Sequence, residues 1–365
     1  MTFPREFTAR LATPCLVVDL AAADRNIARA ADFFAKRPAK MRPHFKAHKC
    51  TRLLQRQIDA GSCVGVTCAT AHEAEVLAGK GFQNILVANE VIDPAGLAAL
   101  ARAAGHTRIT VAVDGLAHVR ALEKTAAEGG VGFGVLIEID VGMGRCGVVF
   151  GGRLLLDLAA EIRGLPHLEL LGLQGYEGHA VMREDRALRW ISAWQASETL
   201  RAERRRLEEA GFECPIVSGG ATGTFDVSSE AGVLGEIQAG SYVLMDSRYG
   251  SLGLPFENAL YCAATVISRR SAESGVLNAG LKAVSAEYGM PKSAMPGLQV
   301  ISLSDEHARF IVKSEARADI GDTVLLIPGH IDPAVNLHDA MVIWNGSGGE
   351  LWPVDGRRRA ETLIA

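Results

Sequence analysis

Apolar and polar positions fall into two textures along this chain. Through roughly the first 250 residues, short runs that are apolar throughout alternate with stretches where apolar residues return every three or four positions. The run 15–20 predicts a strand, and 21–35 a helix with Ile27, Ala30, Ala31 and Phe34 on one face. The pair then recurs. Strand 41–46 precedes a helix over 52–60 closed by Gly61. Strand 64–68 precedes a helix that Thr70 caps, with Glu73 completing a capping box. Strand 84–89 precedes a helix opened by Asp93, with Pro94 at its first position. Strand 108–114 leads to helix 116–127, strand 134–140 to helix 153–162, and strand 168–174 to a long charged helix over 185–210; strands 215–218 and 237–244 follow. Counted from position 41 there are eight strands. Strands that are apolar without alternation are buried on both faces, which implies a parallel sheet. Eight such units fit a closed (β/α)8 barrel of the TIM type, with an open doubly wound sheet as the alternative. After about position 255 the helical period stops. Segments 259–268, 276–279, 299–303, 310–312, 323–327 and 340–344 read as short strands between turns, an antiparallel C-terminal β domain.

Composition narrows the function classes. The chain has 365 residues, with 38 basic against 42 acidic side chains and a net charge of −4, which gives no support to a nucleic-acid partner. No apolar run approaches the roughly 18 residues a membrane span needs, and positions 1–10 lack the apolar core of a signal peptide. The seven cysteines are odd in number and scattered, and Cys63 and Cys68 lack zinc-finger spacing, so a reducing cytoplasm is expected.

In a barrel of this kind chemistry collects at the C-terminal ends of the strands. Met41-Arg42-Pro43-His44-Phe45-Lys46-Ala47-His48-Lys49 ends the first. Alternation would set His44, Lys46 and His48 on one face. A lysine crowded by imidazoles and by Lys49 suits Schiff-base chemistry, although the cluster alone is equally compatible with a solvated basic turn. Gly142-Met143-Gly144-Arg145-Cys146-Gly147 follows the fifth strand, Gln174-Gly175-Tyr176-Glu177-Gly178-His179 ends the sixth, and Gly240-Ser241-Tyr242 lies in the eighth. After the seventh comes Ser218-Gly219-Gly220-Ala221-Thr222-Gly223-Thr224. Its glycines let backbone N–H groups approach an anion and its threonines add hydroxyl donors, at the place where such barrels bind phosphate; by itself it is also an ordinary glycine turn. Arg145 stays charged and can hydrogen-bond a ring nitrogen or phenolate without giving up a proton.

Together with His330-Ile331-Asp332-Pro333-Ala334-Val335-Asn336-Leu337-His338-Asp339, these motifs resemble the fold-type III pyridoxal-phosphate (PLP) enzymes, nearest to the D-threonine aldolase/D-serine dehydratase family. The resemblance covers about Thr13 to Trp344. It implies an alanine racemase-like architecture: an N-terminal strand segment 1–22 that pairs with the β domain, a PLP-binding barrel 23–255, and a β domain 256–365 carrying a metal motif, assembled as a homodimer. Carried over by position, it implies Lys46 as the Schiff-base lysine, Gly220, Ala221, Thr222 and Gly223 with Tyr242 as the phosphate site, and Arg145, Gln174 and Tyr176 near the ring. The C-terminal motif is His-x-Cys in the dehydratases and His-x-Asp in the aldolases; here it is His330 and Asp332. On an extended segment residues two apart point the same way, so one ion could meet both. A nitrogen and a carboxylate oxygen suit Mn²⁺, Mg²⁺ or Zn²⁺. Several D-threonine aldolases carry a histidine where this chain has Met182; here it comes earlier, as His179, the candidate proton acceptor. The expected activity is cleavage of a small D-3-hydroxy amino acid, of D-threonine or 3-hydroxy-D-aspartate type, to glycine and an aldehyde. A dehydratase releasing keto acid and ammonia, and a non-catalytic PLP-binding protein, are the alternatives.

Overall fold

The computed structural model describes residues 3–313 and 317–357; the ends of the expected segments 1–22 and 256–365 lie outside them. Among the described residues the chain forms two units, one of Ala30–Lys46, Leu53–Gly240 and 356–357, the other of 3–29, Ala47–Arg52, 241–313 and 317–355.

The first unit is a barrel of parallel strands. Its hydrogen-bonded order runs Lys40–Met41, Glu236–Ile237, Ile216–Gly219, Leu168–Gly175, Phe133–Asp140, Ile109–Val113, Ile85–Val87, Val66–Cys68. Parallel bridges from Met41 to Cys63 and from His44 to Thr67 join the last strand region back to the first. The Thr67 N–H donates to the Pro43 carbonyl across this seam. That closure removes the open-sheet alternative. The strands are buried on both faces as their unbroken apolar runs require: all five residues of Ile109–Val113 are buried, and seven of the eight in Phe133–Asp140. Helix starts follow local chemistry. The Thr70 and Asp93 side chains accept the N–H groups of Glu73 and Gly96, and Asp185 accepts that of Leu188 at the head of Arg186–Glu209.

Two barrel strands are cut to two residues each. The first covers only Lys40–Met41, and Lys46 sits instead in a single 3-10 turn, Phe45–Ala47. The eighth covers Glu236–Ile237, after which the chain reaches a 3-10 turn at Ser241–Val243. Each is followed by a residue poorly suited to a sheet ladder, Pro43 in one and Gly240 in the other. Among the described residues no helix is long and apolar enough to cross a membrane.

The second unit is built on a sheet that is mixed rather than purely antiparallel. Cys15–Asp19 lies between Leu260–Ser271, which it pairs antiparallel (Leu16 opposite Cys262), and Ala340–Trp344, which it pairs parallel (Leu16 opposite Met341). Leu16, Val17 and Val18 are fully buried there. Gly349–Pro353 and Lys292–Ser293 add strands that the sequence pattern did not announce. Ile331–Asn336 is a short helix, so the stretch expected to be extended around the metal motif is not.

Candidate active site

At the C-terminal ends of the barrel strands Lys46, Arg145 and Tyr176 come together. The Lys46 Nζ lies 5.7 Å from the centre of the Tyr176 ring, and the Arg145 guanidinium carbon 5.2 Å from the same ring. The sequence brought these three to one place. It was wrong about how Lys46 is presented: within a 3-10 turn the alternation of His44, Lys46 and His48 does not hold, and His48 belongs to the other unit, where its Nδ1 accepts the Cys50 N–H.

The Arg145 loop is shaped by Asp140, whose Oδ1 accepts the N–H groups of Gly142 and Gly144, each at 3.0 Å. Beneath the loop is a residue the sequence reading missed, Glu138. It is 3% exposed, 3.9 Å from Arg145, and accepts a 2.7 Å hydrogen bond from Gln174 Nε2. Burial, reinforced by the charge of Glu90, pushes its carboxyl up to about 7, against the opposing pull of the Gln174 hydrogen bond and Arg145. Glu90, Asp114 and Cys146 present ligand atoms within 4.8 Å of one another at the same end. Gln174 itself is tied into the wall, since Gln238 Nε2 donates to its Oε1 and also to Ser218 Oγ. The only signal for Glu138 was a charged residue inside the apolar run Leu136-Ile137-Glu138-Ile139.

The glycine loop takes the turn expected of it. Gly220 has φ +76°, a left-handed conformation open to glycine, and a Cβ on Gly223 would lie 2.2 Å from the Val181 carbonyl oxygen. Thr224 was expected to offer its hydroxyl to an anion. Instead it donates to Glu177 Oε1 at 2.6 Å, and its oxygen accepts the Ala221 N–H. Glu177, a second residue missed from sequence, also accepts from the Gly220 N–H and from Ser228 Oγ. His179 packs on the Arg145 loop: a Cβ on Gly142 would come within 3.1 Å of its Cε1, and its Nδ1 is buried with no hydrogen-bond partner among the described residues. Tyr242 belongs to the other unit, where it is 2% exposed and packs on Phe256.

That second unit carries the histidine motif. His330 precedes the Ile331–Asn336 helix in extended conformation, and Asp332 lies in the helix's first turn. The two still meet, with Nε2 and Oδ1 3.8 Å apart, although by a helical route rather than the extended one expected. Asp332 Oδ1 is buried and has no hydrogen-bond partner among the described residues. Asp246, fully buried and unnoticed in the sequence, fixes the corner. Its Oδ2 lies 3.0 Å from His330 Nδ1 and accepts the Ile331 N–H, while Oδ1 accepts the Tyr249 N–H. This is the carboxylate–histidine arrangement that orients a metal-binding imidazole and leaves its other nitrogen to the ligand. Burial works to lower the His330 pKa, but the hydrogen bond to Asp246 and the charge of Asp332 raise it overall. Tyr288, at a φ of 62° that bulky side chains rarely adopt, sets its ring edge-on to His330 at 5.2 Å.

Residues 18–247 match the alanine racemase N-terminal domain family, and residues 259–344 a serine dehydratase domain family. The chain is 37% identical to a D-threonine aldolase of an Arthrobacter species over 97% of its length and 95% of that protein's. It is 35% identical to a 3-hydroxy-D-aspartate aldolase of Paracoccus denitrificans, over 96% of this chain and 93% of the relative. The crystal structure of D-threonine aldolase from Filomicrobium marinum superposes with a TM-score of 0.92 at 35% identity, covering 98% of this chain and 99% of the other.

Proposed function

Because this chain belongs to the family that joins an alanine racemase-type N-terminal domain to a serine dehydratase-type C-terminal domain, the family of the D-threonine and 3-hydroxy-D-aspartate aldolases, we propose that it is a PLP- and divalent-metal-dependent aldolase. Its reaction is cleavage of a D-3-hydroxy amino acid to glycine and an aldehyde. The observation that carries this reading is the corner at His330. There an imidazole nitrogen faces a buried carboxylate oxygen that has no hydrogen-bond partner among the described residues, and Asp246 locks the histidine in place. Nitrogen and oxygen donors of this kind suit Mn²⁺, Mg²⁺ or Zn²⁺.

Each group then has a task. Lys46 Nζ would be the amine that holds the cofactor. Gly220, Ala221, Thr222 and Gly223, with Tyr242, hold its phosphate. Arg145, Tyr176 and Gln174 would hold its ring, Arg145 supplying a cation that keeps its proton. When bound, PLP supplies an electron sink for the pair released at Cα. His330 and Asp332 would hold the divalent ion, which when bound would supply Lewis acidity to ease removal of the substrate's 3-hydroxyl proton. His179 accepts that proton as the Cα–Cβ bond breaks and C3 becomes an aldehyde carbonyl. Lys46 Nζ, carrying the proton given up by the substrate's ammonium group on binding, would then return a proton to Cα, completing glycine. We propose further that the enzyme is a homodimer of the reducing cytoplasm; none of its seven cysteines is in a disulfide.

The test is an assay of D-threonine and D-3-hydroxyaspartate with Mn²⁺. Glycine should appear, EDTA should abolish it, and added metal should restore it. His330→Ala should remove activity while leaving the visible absorbance of the bound cofactor. Keto acid with ammonia in place of glycine, or full aldolase activity after chelation, would overturn the reading. A monomer in sedimentation would overturn the proposed assembly.

A further inference from the structure

We infer that Glu177 is the positioning residue by which this protein selects the phosphorylated form of its cofactor, because its carboxylate holds the glycine loop in shape. The inference rests on the assignment of that loop to the cofactor phosphate made above. Glu177 follows Tyr176 at the end of Leu168–Gly175, the strand that pairs in register with Ile216–Gly219, Gly175 opposite Gly219. Its carboxylate is buried, 3% exposed, and it accepts three hydrogen bonds. They come from the Gly220 N–H (3.2 Å), the Thr224 hydroxyl (2.6 Å) and the Ser228 hydroxyl (2.8 Å).

All three donors are neutral, and all come from the glycine loop or the Phe225–Glu230 helix that continues it. A buried carboxylate is costly unless such bonds compensate it, and these three tie it to a single piece of chain. Gly223 is seated on the carbonyl of Val181, four residues beyond Glu177, so the same segment grips the loop at two points. The neighbouring Tyr176 is the ring shared by Lys46 and Arg145. One dipeptide therefore addresses the ring side of the site through its first residue and the phosphate side through its second. Without the carboxylate, the Gly220 N–H and the Thr224 hydroxyl lose the acceptor that holds both ends of the loop to Glu177. The damage should fall on recognition of the phosphate and spare recognition of the ring.

The experiment compares PLP with pyridoxal, which lacks the phosphate, by absorbance and fluorescence titration of cofactor-free protein. Glu177→Ala should weaken PLP binding roughly tenfold or more and leave pyridoxal binding unchanged. Glu177→Gln, which keeps an acceptor for the Gly220 N–H, should recover most of the lost selectivity. Equal weakening of both ligands would mark Glu177 as a general structural clamp and overturn the inference, as would unchanged PLP affinity. If Glu177→Ala does not fold, Ser228→Ala removes one of the three bonds and should cost about threefold for PLP alone; equal loss for both ligands overturns the inference there too. A wild-type protein that binds neither ligand overturns the reading above and this inference with it.

Discussion

The two ends of the barrel treat buried charge in opposite ways. Near the N-terminal ends of the strands, Arg42 and Glu236 form a two-pronged ion pair with both bonds at 2.7 Å, and the remaining Arg42 nitrogen donates to the carbonyls of Asn84 and Val66. Opposite charges meet and each bond has a partner. At the C-terminal ends Glu138 is equally buried, but its strongest charged neighbour is another carboxylate, Glu90, and Arg145 stands 3.9 Å off with half its side chain in solvent. The first arrangement holds the barrel together. The second keeps unsettled charge at the end of the barrel that carries Lys46 and Tyr176, and unsettled charge of this kind marks functional sites.

Four experiments test that contrast. Lys46→Ala should have the largest effect, a loss of turnover of at least about a thousandfold with little change in melting temperature, since the lysine is only partly buried and packs at the mouth. Failure to unfold normally would show that the mouth is also structural. Arg42→Ala comes next, in stability rather than chemistry. It strands the Glu236 carboxylate and should cost about 3–5 kcal/mol in denaturant unfolding, whereas the double change Arg42→Met with Glu236→Leu should recover much of that. A double variant no better than the single one would mean the pair does more than neutralise itself.

Glu138→Gln should act more weakly and with the opposite sign. Its folded-state carboxyl sits at about 7 against an ordinary value of 4.5, so the native state holds that proton more tightly. Its stabilising contribution is complete below pH 4.5 and is lost as pH rises to about 7. Cofactor-free Glu138→Gln should lack that decline and gain up to about 3 kcal/mol above pH 7 relative to wild type. An identical pH profile for the two proteins would remove the contrast. The smallest effect belongs to Glu90→Gln, which should move the Glu138 titration downward, as followed by carboxyl-labelled NMR; an upward move would assign the shift to some other neighbour.

How far the sequence could be read depended on whether the signal was local. Apolar runs and capping residues announce themselves, so Ile109–Val113 and the helix opened by Asp93 lie within a residue or two of their expected bounds. Lys46, Arg145 and Tyr176 were found because strand ends converge in a barrel. What escaped depends on partners far along the chain. Asp246 is a lone acid until folding sets it against His330, and Glu177 passes for loop polarity until the Gly220–Ser228 segment closes over it. Gly349–Pro353 escaped because four of its five residues are exposed, which leaves no apolar pattern to follow. The helix at Ile331–Asn336 escaped because Pro333 reads as a breaker, yet within a first turn it costs no hydrogen bond.

The strand Cys15–Asp19 sets a timetable for synthesis. It leaves the ribosome well before its two neighbours, Leu260–Ser271 and Ala340–Trp344. At about 5–20 residues per second, Leu16, Val17 and Val18 wait roughly a quarter of a minute to a minute for Ala340–Trp344 to be made. All eight barrel strands, from Lys40 to Ile237, emerge during that interval. The nascent chain thus carries an apolar ribbon with no sheet to enter, and a ribosome stalled before residue 340 leaves it one neighbour short. Chaperone occupancy on translating ribosomes should follow that interval and fall once those two neighbouring strands appear.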